Sequence, residues 1–203
     1  MGLKFLLYKI HLAPRRLKSI FFTYWNRLVF SLAGISFGCN MRAFNRIYVR
    51  VSRSSEVSIG DDFTFTSGDF INPICRNLRG GVFCRPNAFI HIGDKVGISS
   101  ACLWANTGIK IGNNVNIGGD CLIMDTDAHS LDYKIRRTPN DCSSAKNAPI
   151  IIEDDVLIGA KCIILKGVTI GARSVIGAGS VVTKSIPPDS IAAGNPCKVI
   201  RTL

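Results

Sequence analysis

Three histidines, His11, His91 and His129, are the chain's candidates for moving a proton at neutral pH. His129 differs from the others in its neighbours. Asp125 and Asp127 precede it at the start of a polar stretch, 125–149, that reads DTDAHSLDYKIRRTPNDCSSAKNAP. An imidazole is the usual general base, and a nearby carboxylate or carbonyl fixes which ring nitrogen carries the proton. The DxH spacing is compatible with that pairing without requiring it. His11 lies in a basic segment and reads as a surface residue. His91, beside Ile90 and Ile92, reads as an outward-facing wall residue. With no CxxC pair and no Cys/His cluster in the sequence, the expected chemistry uses no metal.

The element that must position His129 is legible on either side of the polar stretch. From Ile152, every sixth residue is aliphatic: Ile152, Ile158, Ile164, Ile170, Ile176 and Val182. A second track of small or β-branched residues runs through Val156, Cys162, Val168, Ser174 and Ser180. A helix repeats near 3.6 and a strand at 2, so a period of six means short strands joined by tight corners, a parallel β-helix of hexapeptide repeats. The repeats begin imperfectly near Ile47. They run through Ile92, Ile98 and Trp104, slip by one residue near Gly108, and resume at Ile111, Ile117 and Ile123. Segments of IGDK, IGNN and EDDV type put Gly and Asp or Asn at corners, where positive φ or a side-chain-to-backbone bond is needed. Residues 67–88, with two prolines and a Gly-Gly, read as a loop or a degenerate coil. The 125–149 interruption reads as a loop projecting from a rigid scaffold, where binding and catalytic groups tend to sit. Pro187-Pro188 and Asn195-Pro196 are expected to turn the chain out of the ladder in a cap over 185–203.

Composition sets the remaining bounds. Of 203 residues 47% are hydrophobic and 19% charged, a folded protein rather than a disordered one. No stretch approaches the roughly 18 apolar residues of a membrane-spanning helix. MGLKFLLYKI is too short in its apolar run for a secretory signal, and Leu6 stands where myristoylation requires Ser or Thr. The expected location is cytoplasmic. The eight cysteines are expected to be reduced rather than paired, with Cys84, Cys102 and Cys162 in the small second-track position, where a buried free Cys acts as a small apolar residue. Charge is uneven: residues 1–53 hold ten Lys or Arg and no acid, against a net +11 for the whole chain. The basicity belongs to an N-terminal arm, 1–45, ahead of a repeat domain over 46–203. The arm reads as one or two short helices parted at Pro14 and stopped at Gly34. Its apolar stripe is Leu17, Phe21, Tyr24, Trp25, Leu28 and Leu32. Two readings stand. The helix packs on the repeat domain or a neighbouring subunit, or it lies in an anionic membrane surface at the inner face of the membrane. No nucleic-acid recognition motif accompanies the charge, and no nucleic-acid partner is expected.

The stretch IIIEDDVLIGAKCIILKGVTIGARSVIGAGSVVTKSIPPDSIAAGNPCKVI resembles the C-terminal half of the hexapeptide-repeat acyltransferases. The likeness is to the branch with maltose, galactoside and polysaccharide O-acetyltransferases, and it covers about residues 90–201. The resemblance implies a mainly β fold, a single-stranded left-handed parallel β-helix, and a homotrimer with acetyl-CoA, the co-substrate, lying in a groove between neighbouring helices. The hand comes from the resemblance alone, since parallel crossovers are otherwise nearly always right-handed. It further implies that His129 is the catalytic base on an extended loop. Gly159, Ala160, Gly177 and Ala178 would lie against the pantetheine arm, with Thr183, Lys184 and Arg201 near the nucleotide and phosphate end. Ser99 would sit close to acceptor and thioester. Small corners suit a backbone lying against an amide-rich arm, and cations suit phosphates. Leu157 departs from the pattern, because relatives often carry Trp there beside the cofactor. Asp125, Asp127, Tyr133, Arg136 and Arg137 have no assured counterparts. Acceptor choice is expected to depend on them, with Asp127 as a substrate contact.

The expected function is acetyl transfer to a sugar hydroxyl in surface polysaccharide or lipid-linked glycan synthesis, with a backbone N–H near the 158–160 corner stabilising the oxyanion. N-acetylation of an amino sugar is the alternative, since the same base and groove would serve an amine. A non-catalytic scaffold is disfavoured by the intact VVTK and AGNP segments. The γ-class carbonic anhydrases share this helix type but bind zinc through three histidines, and no HxxxxH occurs here.

Overall fold

The computed structural model describes residues 2–68 and 77–203, with the side chains of residues 3–7, 9 and 10 excepted. After one long helix, the chain winds as a left-handed parallel β-helix whose strands fall into three sheets, visited in the order A, B, C. Sheet A holds β1 (Ser36–Phe37), β4 (Glu56–Ile59), β7 (Phe89–Ile92), β10 (Gly108–Ile111), β13 (Ile150–Ile152) and β16 (Thr169–Ile170). Sheet B holds β2 (Arg42–Phe44), β5 (Thr64–Thr66), β8 (Gly97–Ser99), β11 (Asn116–Ile117), β14 (Leu157–Ile158), β17 (Val175–Ile176), β19 (Ser190–Ala193) and β20 (Lys198–Thr202). Sheet C holds β3 (Tyr48–Val51), β6 (Gly81–Cys84), β9 (Cys102–Ala105), β12 (Leu122–Met124), β15 (Ile163–Leu165) and β18 (Val181–Val182).

Both tracks over 150–184 point inward: all six aliphatics and all five small residues are buried. Register follows from stacking them, with Ile152 on Ile170, Ile158 on Ile176 and Ile164 on Val182. The corners divide their labour. Glycine supplies close approach: a Cβ on Gly60 would meet the Asp94 carboxylate, and one on Gly112 would meet Asp154. The residue two places on takes the positive φ, at Asp62, Lys95 and Asn114, as does Asp155 in a corner where Glu153 stands in place of the glycine. Its N–H donates to the coil before it, as from Asp155 to the Asn113 carbonyl at 2.9 Å. A parallel ladder of Asp and Asn side chains accepts from backbone amides, including Asp94 from Asp61 at 2.8 Å and Asp154 from Asn113 at 2.7 Å. These bonds offset the cost of holding non-glycine residues left-handed.

The coil differs from the sequence reading in several places. Pairing starts at Ser36 rather than near residue 46, since β1 pairs with β4 and β2 with β5. Trp104 is not on the inward track; Leu103 is, and the register shortens between Ile98 and Leu103, ahead of Gly108. The same shift takes Cys102 out of the small track, where Cys121 and Cys162 stack instead. The neighbouring Cys162 thiol, together with burial, pushes the Cys121 thiol up. Within 67–88, residues 69–76 lie outside the described residues, but Gly81–Cys84 is a regular strand. Gly80 is there for packing rather than for a turn, because the Phe65 ring occupies the space a Cβ would need. Pro187-Pro188 forms a corner that the ladder survives, as β19 pairs with β17. The reversal comes after β19, and β20 closes sheet B antiparallel to it.

The helix α1 (Leu3–Leu32) runs unbroken through Pro14 as one element of 30 residues. It ends in a Schellman turn: Gly34 is left-handed, its N–H donates to Ser31, and that of Ile35 donates to Phe30. The face carrying Phe30 and Asn26 is buried against β2, the open edge of sheet B. The Asn26 amide donates to the Asn45 carbonyl at 2.7 Å and accepts from Ile47 N at 3.3 Å. Edge groups that would otherwise face water are thereby satisfied. The apolar stripe expected from sequence faces away, with Leu17, Tyr24 and Leu32 exposed by 68%, 66% and 80%. Asn26→Ala should strip the buried edge of its partners at a cost of about 1–3 kcal/mol, read as a Tm lower by roughly 3–10 °C. Tyr24→Ala should leave Tm unchanged; equal melting of the two variants would contradict this docking.

Candidate functional site

The polar excursion leaves sheet C after β12 and re-enters sheet A at β13. Asp125, its first residue, is fully buried and accepts three amides, from Asn106 and Thr107 at 2.7 Å and Gly108 at 2.6 Å. A carboxylate so bonded clamps the loop to the corner of the preceding coil. The base of the loop is zipped by Ala148 N to Asp125 O, Asp127 N to Lys146 O and an antiparallel bridge between Thr126 and Asn147. Asp125 is thus structural and does not face an acceptor.

Inside this frame the chain turns sharply. Ala128 sits at φ 60°, and His129 N donates to Asp127 O at 2.7 Å. Asp127 holds Lys166 through Oδ1, and its Oδ2 is buried without a hydrogen-bond partner. The His129 side chain is 61% exposed, and its Nδ1 lies 2.6 Å from Oδ2 of Asp141, whose own side chain is 17% exposed. The other Asp141 oxygen accepts from Ser130 N at 2.8 Å. The His129 hydrogen bond, followed by the Ser130 amide, holds the Asp141 carboxyl below its usual range. An ionised carboxylate only accepts, so Nδ1 carries the proton and Nε2 presents its lone pair outward. The DxH spacing was compatible with an orienting carboxylate at Asp125 or Asp127; the fold supplies it instead from Asp141, on the returning limb. No spacing rule would have found it.

His129 borders a recess of about 200 Å³ with Arg85, Trp104, Asn106, Thr126, Ala128 and Cys142. Arg136 donates to the Ser130 carbonyl and Arg137 lies over the Tyr133 ring, so these residues brace the loop. His129, Asp141 and Cys142 bring one potential ligand atom each within 4.8 Å of one another, a cluster the sequence did not suggest. His91 faces outward on sheet A, with Nε2 3.0 Å from Glu56.

The other expected site residues lie on two edges. Thr183 and Lys184 follow β18, on the edge between sheets C and A that His129 shares, and both are exposed. Ser99 is the last residue of β8, and Gly159-Ala160 and Gly177-Ala178 follow β14 and β17, on the edge between sheets B and C. Those corners stack tightly, since a Cβ on Gly159 would come within 2.5 Å of Ala178 N. Ser99 shares a 2.9 Å bond with Thr66. Arg201 is exposed on β20, and Leu157 is exposed on the outer face of sheet B. The fold therefore brings His129 together with Thr183 and Lys184 along one edge, and does not bring it to the small corners of the same chain.

A family model described as the hexapeptide repeat of succinyl-transferase matches residues 149–184. A putative acetyltransferase of Schizosaccharomyces pombe is 44% identical over 115 residues, covering 56% of this chain and 53% of that protein. A maltose O-acetyltransferase structure from Clostridium difficile 630 is similar with a TM-score of 0.59 and 27% identity, covering 89% of this chain and 76% of that one. A galactoside acetyltransferase in complex with coenzyme A gives a TM-score of 0.57 and 26% identity, over 87% and 68% of the two chains. The chain spans about half the length of the curated relatives it matches.

The dyad has a pH signature. Asp141 binds its proton less readily folded than unfolded. Its stabilising contribution is therefore complete above its ordinary value of 3.8 and is lost as pH falls through the lowered folded value. The gap in urea midpoint between wild type and Asp141→Asn should be full at neutral pH and close in acid; a gap constant with pH would contradict the pairing.

Proposed function

We propose, from the premise that this chain is a hexapeptide-repeat protein whose relatives are acetyltransferases, that it transfers an acetyl group from acetyl-CoA to a sugar hydroxyl. The observation that carries the reading is the exposed His129, oriented by Asp141 on a loop zipped to a rigid coil. Nε2 takes the hydroxyl proton as the oxygen attacks the thioester carbonyl. The tetrahedral intermediate collapses, the C–S bond breaks, and the imidazolium returns its proton to the leaving sulfur, so that CoA departs as the thiol. In the stacked corners, Gly159 N and Lys161 N already donate to the Ile176 and Gly119 carbonyls. The Ala160 amide between them is the donor for the oxyanion. Gly177-Ala178 lines the pantetheine arm, with Thr183, Lys184 and Arg201 toward the phosphates. Asp127 and Ser99 are the acceptor-side contacts.

The split of these residues over two edges supports a trimer. Both edges border sheet C, whose outward Leu122, Met124, Ile163, Leu165 and Val181 form an apolar face. Packing that face around a threefold axis sets the His129 edge of one copy against the small corners of the next.

The arm supports work at a membrane surface. Leu17, Ile20, Phe21, Tyr24, Leu28 and Leu32 form one exposed apolar face, and no acid occurs in residues 1–53. On a helix of 100° per residue, Arg16 lies at one border of that face and Lys18 at the other, placed to meet anionic head groups. No helix among the described residues is long and apolar enough to cross a membrane. A surface-bound enzyme suits a lipid-linked or polysaccharide acceptor.

His129→Ala should lower kcat by about 10²–10⁴-fold, measured as thiol release from acetyl-CoA with a panel of sugars, at unchanged CoA affinity. Unchanged turnover would remove His129 from the mechanism. A Phe21→Ser, Tyr24→Ser, Leu28→Ser triple variant should keep its fold and lose flotation with anionic vesicles; equal flotation would end the membrane reading.

A further inference from the structure

The outer face of sheet C carries a second feature above the His129 recess. Parallel register sets Arg50, Phe83 and Trp104 side by side on β3, β6 and β9. The Phe83 and Trp104 rings lie 5.9 Å apart, tilted by 34°. The indole N–H donates to Asn106 Oδ1 at 3.3 Å, and the Asn106 amide in turn donates to Thr126 and Asn147 at 3.4 Å. The platform is thus tied to the base of the catalytic loop. A cavity of about 360 Å³ opens on it, lined by Arg50, Ser52, Phe83, Arg85 and Trp104 among others. Arg85 and Trp104 also line the recess that ends at His129, so the two cavities share a wall. No acidic residue lines either, and among the described residues neither Arg50 nor Arg85 has an ion-pair partner.

An aromatic platform flanked by two guanidinium groups without carboxylates is chemistry for a sugar ring that carries negative charge. The apolar face of a pyranose packs on an indole. Guanidinium forks recognise carboxylate and phosphate oxygens. We infer that the acceptor is an anionic sugar, its ring seated on Trp104 and Phe83, its charged substituent between Arg50 and Arg85, and its reacting hydroxyl in the His129 recess. The inference rests on the acetyl-transfer reading for the reaction, and not for binding. The same chemistry is offered by a glycosyl phosphate, as at the reducing end of a lipid-linked glycan, and by a uronic acid within a polysaccharide.

Two measurements on the full chain test it. In calorimetric titrations without acetyl-CoA, glucose 1-phosphate and methyl glucuronoside should each bind more tightly than methyl glucoside. Arg50→Gln and Arg85→Gln should each weaken the anionic ligands by about 10-fold or more, with Trp104→Ala weakening all three. Lys110→Gln, on the outer face of sheet A, is the control that should change nothing. In turnover, the ratio of kcat/KM for anionic over neutral sugar should fall about 10-fold in each arginine variant. The preference between phosphate and uronoside names the source of the charge. Binding without turnover would sink the transfer reading and keep the subsite. Turnover or binding indifferent to charge, or arginine variants with the wild-type ratio, would overturn the subsite.

Discussion

Every coil of a β-helix finds its backbone partners in the coils before and after it, so register is the constraint on which the rest depends. Ile152 on Ile170 and Ile158 on Ile176 are one statement with the corner bonds: if a corner gained a Cβ or lost its left-handed residue, the next strand would leave its partner. The chain meets this with glycines that allow close approach, Asp and Asn side chains that catch amides, and small buried residues such as Val156 and Cys162. Two open ends remain, each needing a different solution. Asn26 and Phe30 of α1 cover β2 at one end, and β20 folds back over β19 at the other.

Register also explains why the 125–149 loop can be both long and fixed. Lys110 and Ile111 must pair with Ile151 and Ile152 across the whole excursion, which therefore has to leave and return at the same corner. Asp125 makes that possible by binding three amides of the coil before it, and the 125–148 zipper holds the base closed. Such a base limits the freedom of the 127–129 turn, so Asp141 needs to fix only one ring. A general base gains from this arrangement because the proton is already on Nδ1 when a hydroxyl arrives.

The core of the C-terminal coils was legible because a period of six has few other physical meanings. The loop that carries His129 was legible as well, since the interruption of that period is itself a signal. Trp104 was hidden by the same logic: extending the six-step track from Ile98 made an outward residue look inward, and only hydrogen-bonded pairing with Phe83 and Met124 shows its face. Asp141 was hidden because side chains converging within an irregular loop leave no periodic trace. The apolar stripe of the helix was legible as a stripe, but the opposite face that docks on the coil was not. The docked face is set by Asn26, a polar residue whose value lies in the sheet edge it satisfies.

The distance between edges decides how the proposed reaction is assembled. A strand rises about 3.3 Å per residue, so the two edges bounding sheet C stand on the order of 10 Å apart. A general base must lie within roughly 3 Å of the hydroxyl it serves, or reach it through one water. A thioester laid along Gly159-Ala160 and Gly177-Ala178 is therefore out of reach of the same chain's His129. The proposed chemistry needs two copies, one giving the base and the other the small corners. That requirement gives a function to the apolar outer face of sheet C, which the coil does not need for its own core. It also makes Trp104 informative: an aromatic at the end of that face, tied through Asn106 to the base of the 125–149 loop, lines the recess that His129 borders.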